Sequence, residues 1–360
     1  MKLLLAILLT YALAPSATAA ERPFAANQLC TLPILDNYQS EVLLDSNCTY
    51  SGTFQISKSD FTLDCRGAKF DGMHKFNSGI VVTGKGRQIS NITIKNCALN
   101  NYKRNSIEIK SGIAPDKLNH DASKLYAIAP NKITLNNLVI TNSGSGAVYF
   151  YAYVHNSSLT NSHIESSKEA GIYLSQNTKN IEIAYNTITQ NGHNSKKANR
   201  REGLAIDTSS HNSIHNNSFI ANGAGGIFLY TKCGKFYTTS SWSPSNYNVI
   251  KENTFSNEPV GVWLASRQSR DLSSWNCTAE PLDDQGKFFR DYADFNKVTG
   301  NKFCGGTLGV RIEGDNNQVT NNFYDPAQEF TLEPFSRLNK PDGSPTRGNR
   351  LENNRPSVCN

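Results

Sequence analysis

Short apolar strands recur along this chain at a nearly constant spacing. Ile140, Ile164 and Ile188 stand 24 residues apart in similar phrases. The same position continues, at wider intervals, at Phe219, Phe255, Phe303 and Phe323. A second row consists of glycines that each open a short apolar strand, namely Gly171, Gly203, Gly226, Gly261 and Gly309. One repeat of short strands per ~24 residues predicts an all-β solenoid, a parallel β-helix with a single strand row per face.

Alternation within these strands separates inward from outward side chains. The expected core positions are Leu204, Ile206, Ile227, Leu229, Val262, Leu264, Val310 and Ile312. The outward set on the same strands is Tyr173, Asp207, Phe228, Tyr230, Trp263, Arg311 and Glu313. The turns are rich in asparagine, which tolerates left-handed backbone and forms side-chain ladders when stacked on successive coils. The asparagines in question are Asn136, Asn137, Asn186, Asn216, Asn217, Asn253, Asn301, Asn321 and Asn322.

The phrase at residues 63–72, with the repeated Asn-x-Phe/Ile and Gly-apolar-x-apolar motifs, resembles the coils of the pectate-lyase-like superfamily. That resemblance implies a right-handed parallel β-helix with end caps. The superfamily that the chain resembles contains polysaccharide lyases, hydrolases, uronate epimerases and proteins without known chemistry. We therefore expect an N-terminal cap at 20–40, the β-helix at 41–325 and a C-terminal tail or cap at 326–360.

The first 19 residues predict a secretory signal peptide. Lys2 precedes an apolar run at 3–13, and small residues follow at 17–19. The run is shorter than the ~20 residues that a membrane span needs. We expect an exported protein, periplasmic or secreted, without membrane insertion.

Eight cysteines agree with export into an oxidising compartment, and none forms a Cys-x-x-Cys motif of the kind that binds zinc. Proximity in the stack of coils suggests the disulfides Cys30–Cys48, Cys65–Cys97, Cys233–Cys277 and Cys304–Cys359.

Three consecutive coils are longer than the others. Ile188 to Phe219 spans 31 residues, Phe219 to Phe255 spans 36 and Phe255 to Phe303 spans 48, against 24 in the regular coils. The additional residues fall at 192–202, 231–246 and 266–294. All three insertions flank the strand row that carries the outward set, and long loops on one face of a rigid scaffold usually carry function. The alternative is that these loops only cover the aromatic side chains and form a second small core.

An open groove of this composition suits an anionic polysaccharide, because aromatic rings stack on sugar rings and charged groups orient hydroxyls and carboxylates. The candidate substrate-binding residues are Tyr173, Phe228, Trp263, Arg270, Arg311, Glu313 and Lys232. The net charge of +6 favours an anionic partner only weakly. We expect a monomer that does not bind nucleic acid.

The residue types favour removal of the C5 proton of a uronate, as in a lyase or a C5-epimerase. The carboxylate must be neutralised, and a base and an acid must be present. The candidate neutralisers are Arg201, Arg267 and Arg311. Tyr230 and His211 are the acid/base candidates, and Asp207 either orients them or acts as the base. His211 is chosen because it follows Asp207 by four residues, and a purely structural turn role for it stays open.

Glycoside hydrolysis is the rival chemistry. Asp207 and Glu313 lie three coils apart, roughly 14 Å at the strand spacing, beyond the ~5–9.5 Å between the carboxylates of a glycosidase. Asp271 or Asp294 is a nearer alternative partner. A non-catalytic glycan-binding or structural protein is the third possibility.

Motifs of related enzymes are missing. The sequence lacks the Gly-His-Gly motif of polygalacturonases and the Arg-x-Pro-x-x-Arg motif of pectate lyases. It also lacks the Asp-Pro-His-Asp/Glu motif of alginate epimerases, although residues 325–328 share the first half of that motif. No cofactor is expected. Calcium binding by Asp283, Asp284, Asp291 and Asp294 stays a minor alternative to a solvated acidic loop.

Overall fold

The chain winds into a parallel β-helix in the computed structural model, which describes residues 28–113, 121–194, 196, 199–234, 244–333 and 345–359. The predicted signal peptide lies outside the described residues. Each coil contributes one strand to sheet A, one to sheet C and one to sheet B before the chain returns to sheet A. All strand pairings within these sheets are parallel, which confirms the predicted architecture.

Sheet A has twelve strands: β1 (Gln28–Cys30), β3 (Cys48–Tyr50), β6 (Lys69–Asp71), β9 (Ala98–Asn100), β12 (Val139–Thr141), β15 (His163–Glu165), β18 (Thr187–Thr189), β21 (Ser218–Ile220), β24 (Thr254–Ser256), β27 (Lys302–Cys304), β30 (Phe323–Tyr324) and β33 (Arg355–Pro356).

Sheet B has eleven: β2 (Glu41–Leu43), β5 (Phe61–Asp64), β8 (Ser90–Lys95), β11 (Asn131–Asn136), β14 (His155–Thr160), β17 (Lys179–Ala184), β20 (Ser213–His215), β23 (Val249–Lys251), β26 (Lys297–Thr299), β29 (Gln318–Thr320) and β32 (Arg350–Glu352).

Sheet C, which carries the outward set, has ten: β4 (Phe54–Ile56), β7 (Ile80–Thr83), β10 (Ile107–Lys110), β13 (Val148–Phe150), β16 (Ile172–Leu174), β19 (Glu202–Asp207), β22 (Gly225–Tyr230), β25 (Val260–Leu264), β28 (Leu308–Ile312) and β31 (Glu329–Leu332). The only α-helix among the described residues is α1 (Ala122–Ile128), and single 3-10 turns occur at Leu35–Asn37 and Ser273–Trp275. Paired strands reach both sides of 41–325, since β1 joins sheet A and β32 joins sheet B.

The spacing predicted from the sequence corresponds to direct pairing in sheet A. Ile140 faces Ile164, and Ile188 faces Phe219. One position was predicted wrongly, because Phe303 faces Tyr324 and not Phe323, which is 45% exposed. Spacing alone does not distinguish two adjacent aromatic residues, whereas Tyr324 packs inward on Phe330 with ring centroids 4.5 Å apart.

The glycine row is explained by the phenylalanine stack inside the coils. The rings of Phe219, Phe255 and Phe303 are stacked in sequence at 5.1 and 4.8 Å. A Cβ atom at Gly226 would lie 2.6 Å from the Phe255 ring, and one at Gly261 would lie 2.5 Å from the Phe303 ring. Any larger residue in these two places would displace the core aromatics. The eight predicted core positions all belong to the main hydrophobic core.

The predicted asparagine ladder is present between sheets B and A. Each side-chain carbonyl accepts the amide group of the asparagine one coil earlier, along the series Asn186, Asn217, Asn253, Asn301, Asn322 and Asn354. A second series runs through Asn212, Asn248, Asn296, Asn317 and Asn349. These bonds satisfy polar groups that the coil turns bury.

A third ladder ends on a carboxylic acid. Asn191 donates to Asn222, and Asn222 donates its backbone N–H and its amide group to Oε1 of Glu258, at 3.2 and 2.7 Å. Glu258 is 2% exposed, and its Oε2 has no hydrogen-bond partner among the described residues. Burial raises the pKa of Glu258 to about 8. Burial therefore favours the neutral form of this side chain, and the two hydrogen bonds from Asn222 act in the opposite direction.

Replacement of Glu258 by glutamine is expected to stabilise the fold at neutral pH. The folded pKa of Glu258 lies above its unfolded pKa. The stability that depends on the protonated side chain is therefore fully present below about pH 4.5 and is lost as the pH rises towards 8. Glutamine stays neutral, so the variant should gain roughly 3 kcal/mol in unfolding free energy at pH 7 and almost none at pH 4. Denaturant unfolding across this pH range measures the difference. Glu258→Ala, which removes the acceptor, should be less stable at every pH; parallel pH curves for wild type and Glu258→Gln would contradict the assignment.

One insertion was missed by the sequence analysis. Val148 pairs directly with Ile107, which lies 41 residues earlier, so the coil after β10 is also longer than 24 residues. The additional residues include α1, capped by the Asp121 side chain. Tyr126 of this helix donates to the Asn177 carbonyl at 2.7 Å. The spacing would have revealed this insertion if the register had been extended backwards from Ile140.

All four suggested disulfides are confirmed, namely Cys30–Cys48, Cys65–Cys97, Cys233–Cys277 and Cys304–Cys359. Cys30–Cys48 and Cys65–Cys97 join neighbouring coils, Cys304–Cys359 joins β27 to the segment after β33, and Cys233–Cys277 joins two of the inserted loops. Within the described part of the chain, no helix has the length and apolar character that a membrane crossing requires.

Candidate functional site

The inserted loops are fixed to one another over sheet C. Residues 231–246 follow β22 and residues 266–294 follow β25. Besides the disulfide, Asp291 joins them: one carboxylate oxygen accepts the Thr231 N–H, and the other accepts the Arg267 N–H at 2.8 Å. Asp291 is buried, and burial raises its pKa to about 7. Its bonds hold Arg267 and the residue before Lys232 in place.

The outward set points away from the main core, but much of it is covered. Asp207 and Glu313 are 0% exposed, and Phe228 and Tyr230 form a separate small cluster with two alanines. The expectation of an open aromatic strip is therefore wrong at these four positions, and the alternative of a second small core holds there. Strand alternation gives the direction of a side chain, whereas its exposure depends on how the loops fold back.

Asp207 is the centre of a buried polar cluster. The Tyr173 hydroxyl donates to its Oδ2, and the Arg267 guanidinium and the Lys232 ammonium lie 3.6 and 3.8 Å from the same oxygen. Thr208 donates to the other carboxylate oxygen at 2.9 Å. Burial alone would raise the pKa of Asp207, but the two cations bring it below its ordinary value. The carboxylate is therefore held ionised.

A second group of bonds adjoins the first. The Tyr230 hydroxyl donates to Oε1 of Glu202 at 2.7 Å, and Arg201 donates to the Tyr230 oxygen at 3.0 Å and to Glu202 at 3.1 Å. The Arg267 guanidinium lies 3.9 Å from the centre of the Tyr230 ring and so connects the two groups. Burial and the Glu202 charge raise the pKa of Tyr230 well above its ordinary value.

The pKa of Lys232 is lowered, whereas the pKa values of Tyr173 and Tyr230 are raised. Burial lowers the pKa of Lys232 and the nearby Arg267 charge lowers it further, although Asp207 opposes both effects. Burial and the Asp207 charge raise the pKa of Tyr173. The site therefore places an amine that is more easily deprotonated than usual beside hydroxyls that keep their protons.

A cleft of about 640 Å³ opens beside this cluster, over the beginnings of β22, β25 and β28. Its floor includes Phe228 and Trp263, and its rim includes Arg270. The Arg311 guanidinium lies 4.5 Å from the Trp263 ring, and Nε of Arg311 donates to Glu313 at 2.5 Å. Burial raises the pKa of Glu313, and Arg311 opposes that effect. The cleft thus combines an aromatic floor with cationic side chains.

The structure does not bring His211 to Asp207. His211 occupies a left-handed turn after β19 with φ 57°, and its Nδ1 lies 3.1 Å from the Ser210 hydroxyl. Its ring is 5.1 Å from that of Tyr247, at the corner between sheets C and B. The left-handed turn places the imidazole outside the cluster. The other candidates of the sequence analysis lie in the cluster or along the cleft.

The acidic side chains of the third insertion accept hydrogen bonds from backbone N–H groups. Asp283 accepts backbone N–H groups of Lys287 and Phe288, and Asp294 accepts the Asp315 N–H. Across the described ranges, no group of three or more His, Cys, Asp or Glu residues is placed to hold a metal ion. Asp271, the other candidate for a hydrolytic pair, accepts from the Ser273 N–H and hydroxyl.

Neither Glu202 nor Asp291 was predicted in the position that the structure gives it. Glu202 stands at the end of an insertion directly before a Gly-led strand, so its place in the row could have been predicted. Asp291 has no such signal, because only the folding of its loop brings it between Thr231 and Arg267.

A family model described as the right-handed beta helix region matches residues 46–278, which is more than half of the chain. The match confirms the handedness of the predicted fold. No curated protein sequence matches the chain significantly.

Solved structures share the fold at low sequence identity. An alginate lyase from Paenibacillus sp. str. FPU-7 is 13% identical with a TM-score of 0.51, and the alignment covers 79% of this chain and 90% of that one. The tailspike protein of E. coli bacteriophage HK620 is 11% identical with a TM-score of 0.49, covering 93% of this chain and 59% of that one. The catalytic domain of a GH87 α-1,3-glucanase is 11% identical with a TM-score of 0.49, covering 86% of this chain and 61% of that one.

Proposed function

This chain belongs to the right-handed beta helix family, and from that premise we propose that it acts on an anionic polysaccharide as a lyase or a C5-epimerase of uronate residues. The observation that carries the proposal is the pairing of Lys232, whose pKa is lowered, with Tyr230, whose pKa is raised, around the Arg267 guanidinium. Lys232 therefore gives up its ammonium proton more readily than an ordinary lysine, and Tyr230 keeps the proton that it would donate, although its raised pKa makes it a weaker acid than a free tyrosine.

The proposed reaction begins once the Lys232 ammonium has lost its proton to solvent, and the neutral amine then removes the C5 proton. In a lyase, the Tyr230 hydroxyl then protonates the leaving oxygen; in an epimerase, it returns a proton to the opposite face of C5. The charges of Arg201 and Arg267 lower the pKa of Tyr230, so they stabilise the phenolate that forms. Asp207 keeps Lys232 and Arg267 in place.

The uronate carboxylate needs a cation that is not already neutralised. Arg200 and Arg270 both line the cleft, and neither forms a salt bridge with a carboxylate among the described residues. A guanidinium binds a carboxylate through two parallel hydrogen bonds, which makes the developing charge at C5 less costly. The Trp263 ring beside them offers apolar contact to a sugar.

Hydrolysis is the less favoured chemistry because the acidic side chains have other partners. Glu202 and Asp207 are ionised in contact with cations, and their pKa values are lowered even though burial acts in the opposite direction. Asp291 uses both oxygens on backbone N–H groups. Glu202 and Asp207, the carboxylates beside Tyr230 and Lys232, are thus ionised and cannot supply the proton that the general acid of a glycosidase gives.

The four disulfides fit a protein of an oxidising compartment. We therefore place the proposed activity in the periplasm or outside the cell, where anionic polysaccharides occur.

The experiment is a turnover screen with alginate, polygalacturonate and a neutral α-1,3-glucan. The solved alginate lyase of the same fold makes alginate the first polymer to test. We expect either ultraviolet absorbance of a new 4,5-double bond or C5 inversion by NMR with a uronate polymer, and no product from the glucan. Tyr230→Phe should lower that turnover by about 10²-fold or more, whereas Tyr185→Phe, at a 59% exposed tyrosine in the turn after β17, should not. New reducing ends without a double bond would indicate hydrolysis, and binding without product would indicate a glycan-binding protein; either result would overturn the proposal.

A further inference from the structure

The outward row of sheet C continues beyond the candidate site on the side away from the cleft. Tyr149 pairs with Tyr173, and Tyr173 pairs with Ala205 of β19. On the next coil Phe228 faces Trp263, which lies on the cleft floor. One straight register therefore connects two tyrosines, the buried cluster and the cleft, in the direction of the helix axis.

The tyrosines on this side form a continuous strip that ends at the cluster. The rings of Tyr149 and Tyr173 are stacked with centroids 4.6 Å apart, and Tyr151 lies 4.2 Å from Tyr149. Lys110 lies over the Tyr151 ring at 5.6 Å. At the other end the Tyr173 hydroxyl donates to Asp207. We call Lys110, Tyr151, Tyr149 and Tyr173 the tyrosine strip.

Each member of the strip is partly accessible. The three tyrosines are half-buried, and the Lys110 side chain is 35% exposed even though it pairs with Glu108. The strip is bounded at both ends by insertions on the same edge of sheet C: the segment with α1 follows β10, and the loops that hold Lys232 and Arg267 follow β22 and β25. Partly accessible aromatic rings in a row between raised loops, with an ammonium group at the far end, suit an extended anionic glycan.

We infer that the tyrosine strip is the second half of the glycan-binding surface, so that a uronate polymer lies along the helix axis with the cleft on one side of Lys232 and the strip on the other. The inference rests on the proposed function and extends it, because a surface occupied on both sides of the reacting residue selects internal residues of a polymer rather than chain ends. Residues on the strip side are expected to contribute to binding and not to the chemical step.

The test compares long and short substrates. Tyr149→Ala/Tyr151→Ala is assayed with alginate and polygalacturonate, each as polymer and as disaccharide, beside Tyr185→Ala as the control for an exposed tyrosine on another face. We expect the KM for the polymer to rise about tenfold, from the loss of two ring contacts, with kcat retained and disaccharide binding unchanged. Tyr149→Phe keeps the ring stack, so it should raise the polymer KM less than Tyr149→Ala/Tyr151→Ala does. Early products of the wild type should be long fragments or, for an epimerase, internal blocks.

The failure of this inference can be distinguished from the failure of the proposed function. If the wild type turns over no uronate polymer, the proposed chemistry fails, and affinity electrophoresis in gels containing each polymer still tests the strip. An unchanged polymer KM or mobility in a folded Tyr149→Ala/Tyr151→Ala variant would overturn the inference. So would an equal loss for polymer and disaccharide, or the release of only chain-end products. Thermal unfolding verifies that the variant folds. If it does not fold, Lys110→Met, which lies outside the aromatic stack, replaces it in the same comparison of polymer and disaccharide.

Discussion

Replacement of Lys232 by methionine is expected to reduce turnover of the uronate polymer by about 10²–10⁴-fold, the usual contribution of a general base. The side chain is partly buried beside Asp207, and its lowered pKa makes it the amine most able to accept a proton in the cluster. Methionine keeps the length and apolar stem but cannot accept the proton. Asp207 remains paired with Arg267, so the fold should survive.

The pH dependence of turnover distinguishes a role of Lys232 as general base from a role as a fixed positive charge. In the wild type, kcat/KM should rise with pH as the Lys232 ammonium loses its proton, and that rise should come below the ordinary pKa of a lysine. Lys232→Arg keeps a positive charge that does not titrate, so it should be as inactive as Lys232→Met while binding the polymer like the wild type. An active Lys232→Arg variant would show that the residue acts only through its charge and that another group is the base.

Replacement of Asp207 by asparagine is expected to cost about 3–5 kcal/mol of folding stability, because it leaves two cations buried without their carboxylate. Asp207 is 0% exposed, and the charges of Lys232 and Arg267 both lie within 4 Å of its Oδ2. The shape of the side chain is preserved, so the effect reports charge rather than packing. Chemical denaturation at pH 7 measures it, and turnover should fall as well because Lys232 and Arg267 lose their position.

A compensating variant tests the same point. Adding Arg267→Met to Asp207→Asn removes one of the uncompensated cations, so the double variant should be more stable than the sum of the two single changes predicts. Simple additivity of the two single changes would contradict a shared ion cluster.

The sequence by itself determined the coil. A period near 24 residues, glycines opposite large core residues and asparagines at the turns follow from the requirement that each coil packs on the next, and this requirement repeats along the chain. The three inserted loops were therefore predictable from the spacing of Ile188, Phe219, Phe255 and Phe303. The same logic gave Cys30–Cys48 and Cys65–Cys97, because these cysteines lie on neighbouring coils.

Only the tertiary structure decided what the insertions do. Residues 231–234, 244–246 and 266–294 have no repeat to fix their path, and Asp207 and Tyr230, which the alternation had indicated as open, are buried beside them. Asp291 meets Thr231 across 60 positions of sequence, and Lys232 acquires its shifted pKa from burial and from Arg267 on another loop. His211 was predicted near Asp207 from the spacing of the two residues. A single left-handed turn directs its side chain elsewhere. The packing of a periodic fold can be predicted from local sequence. The electrostatics of a site covered by loops depend on contacts that form only after the loops have folded onto the sheet.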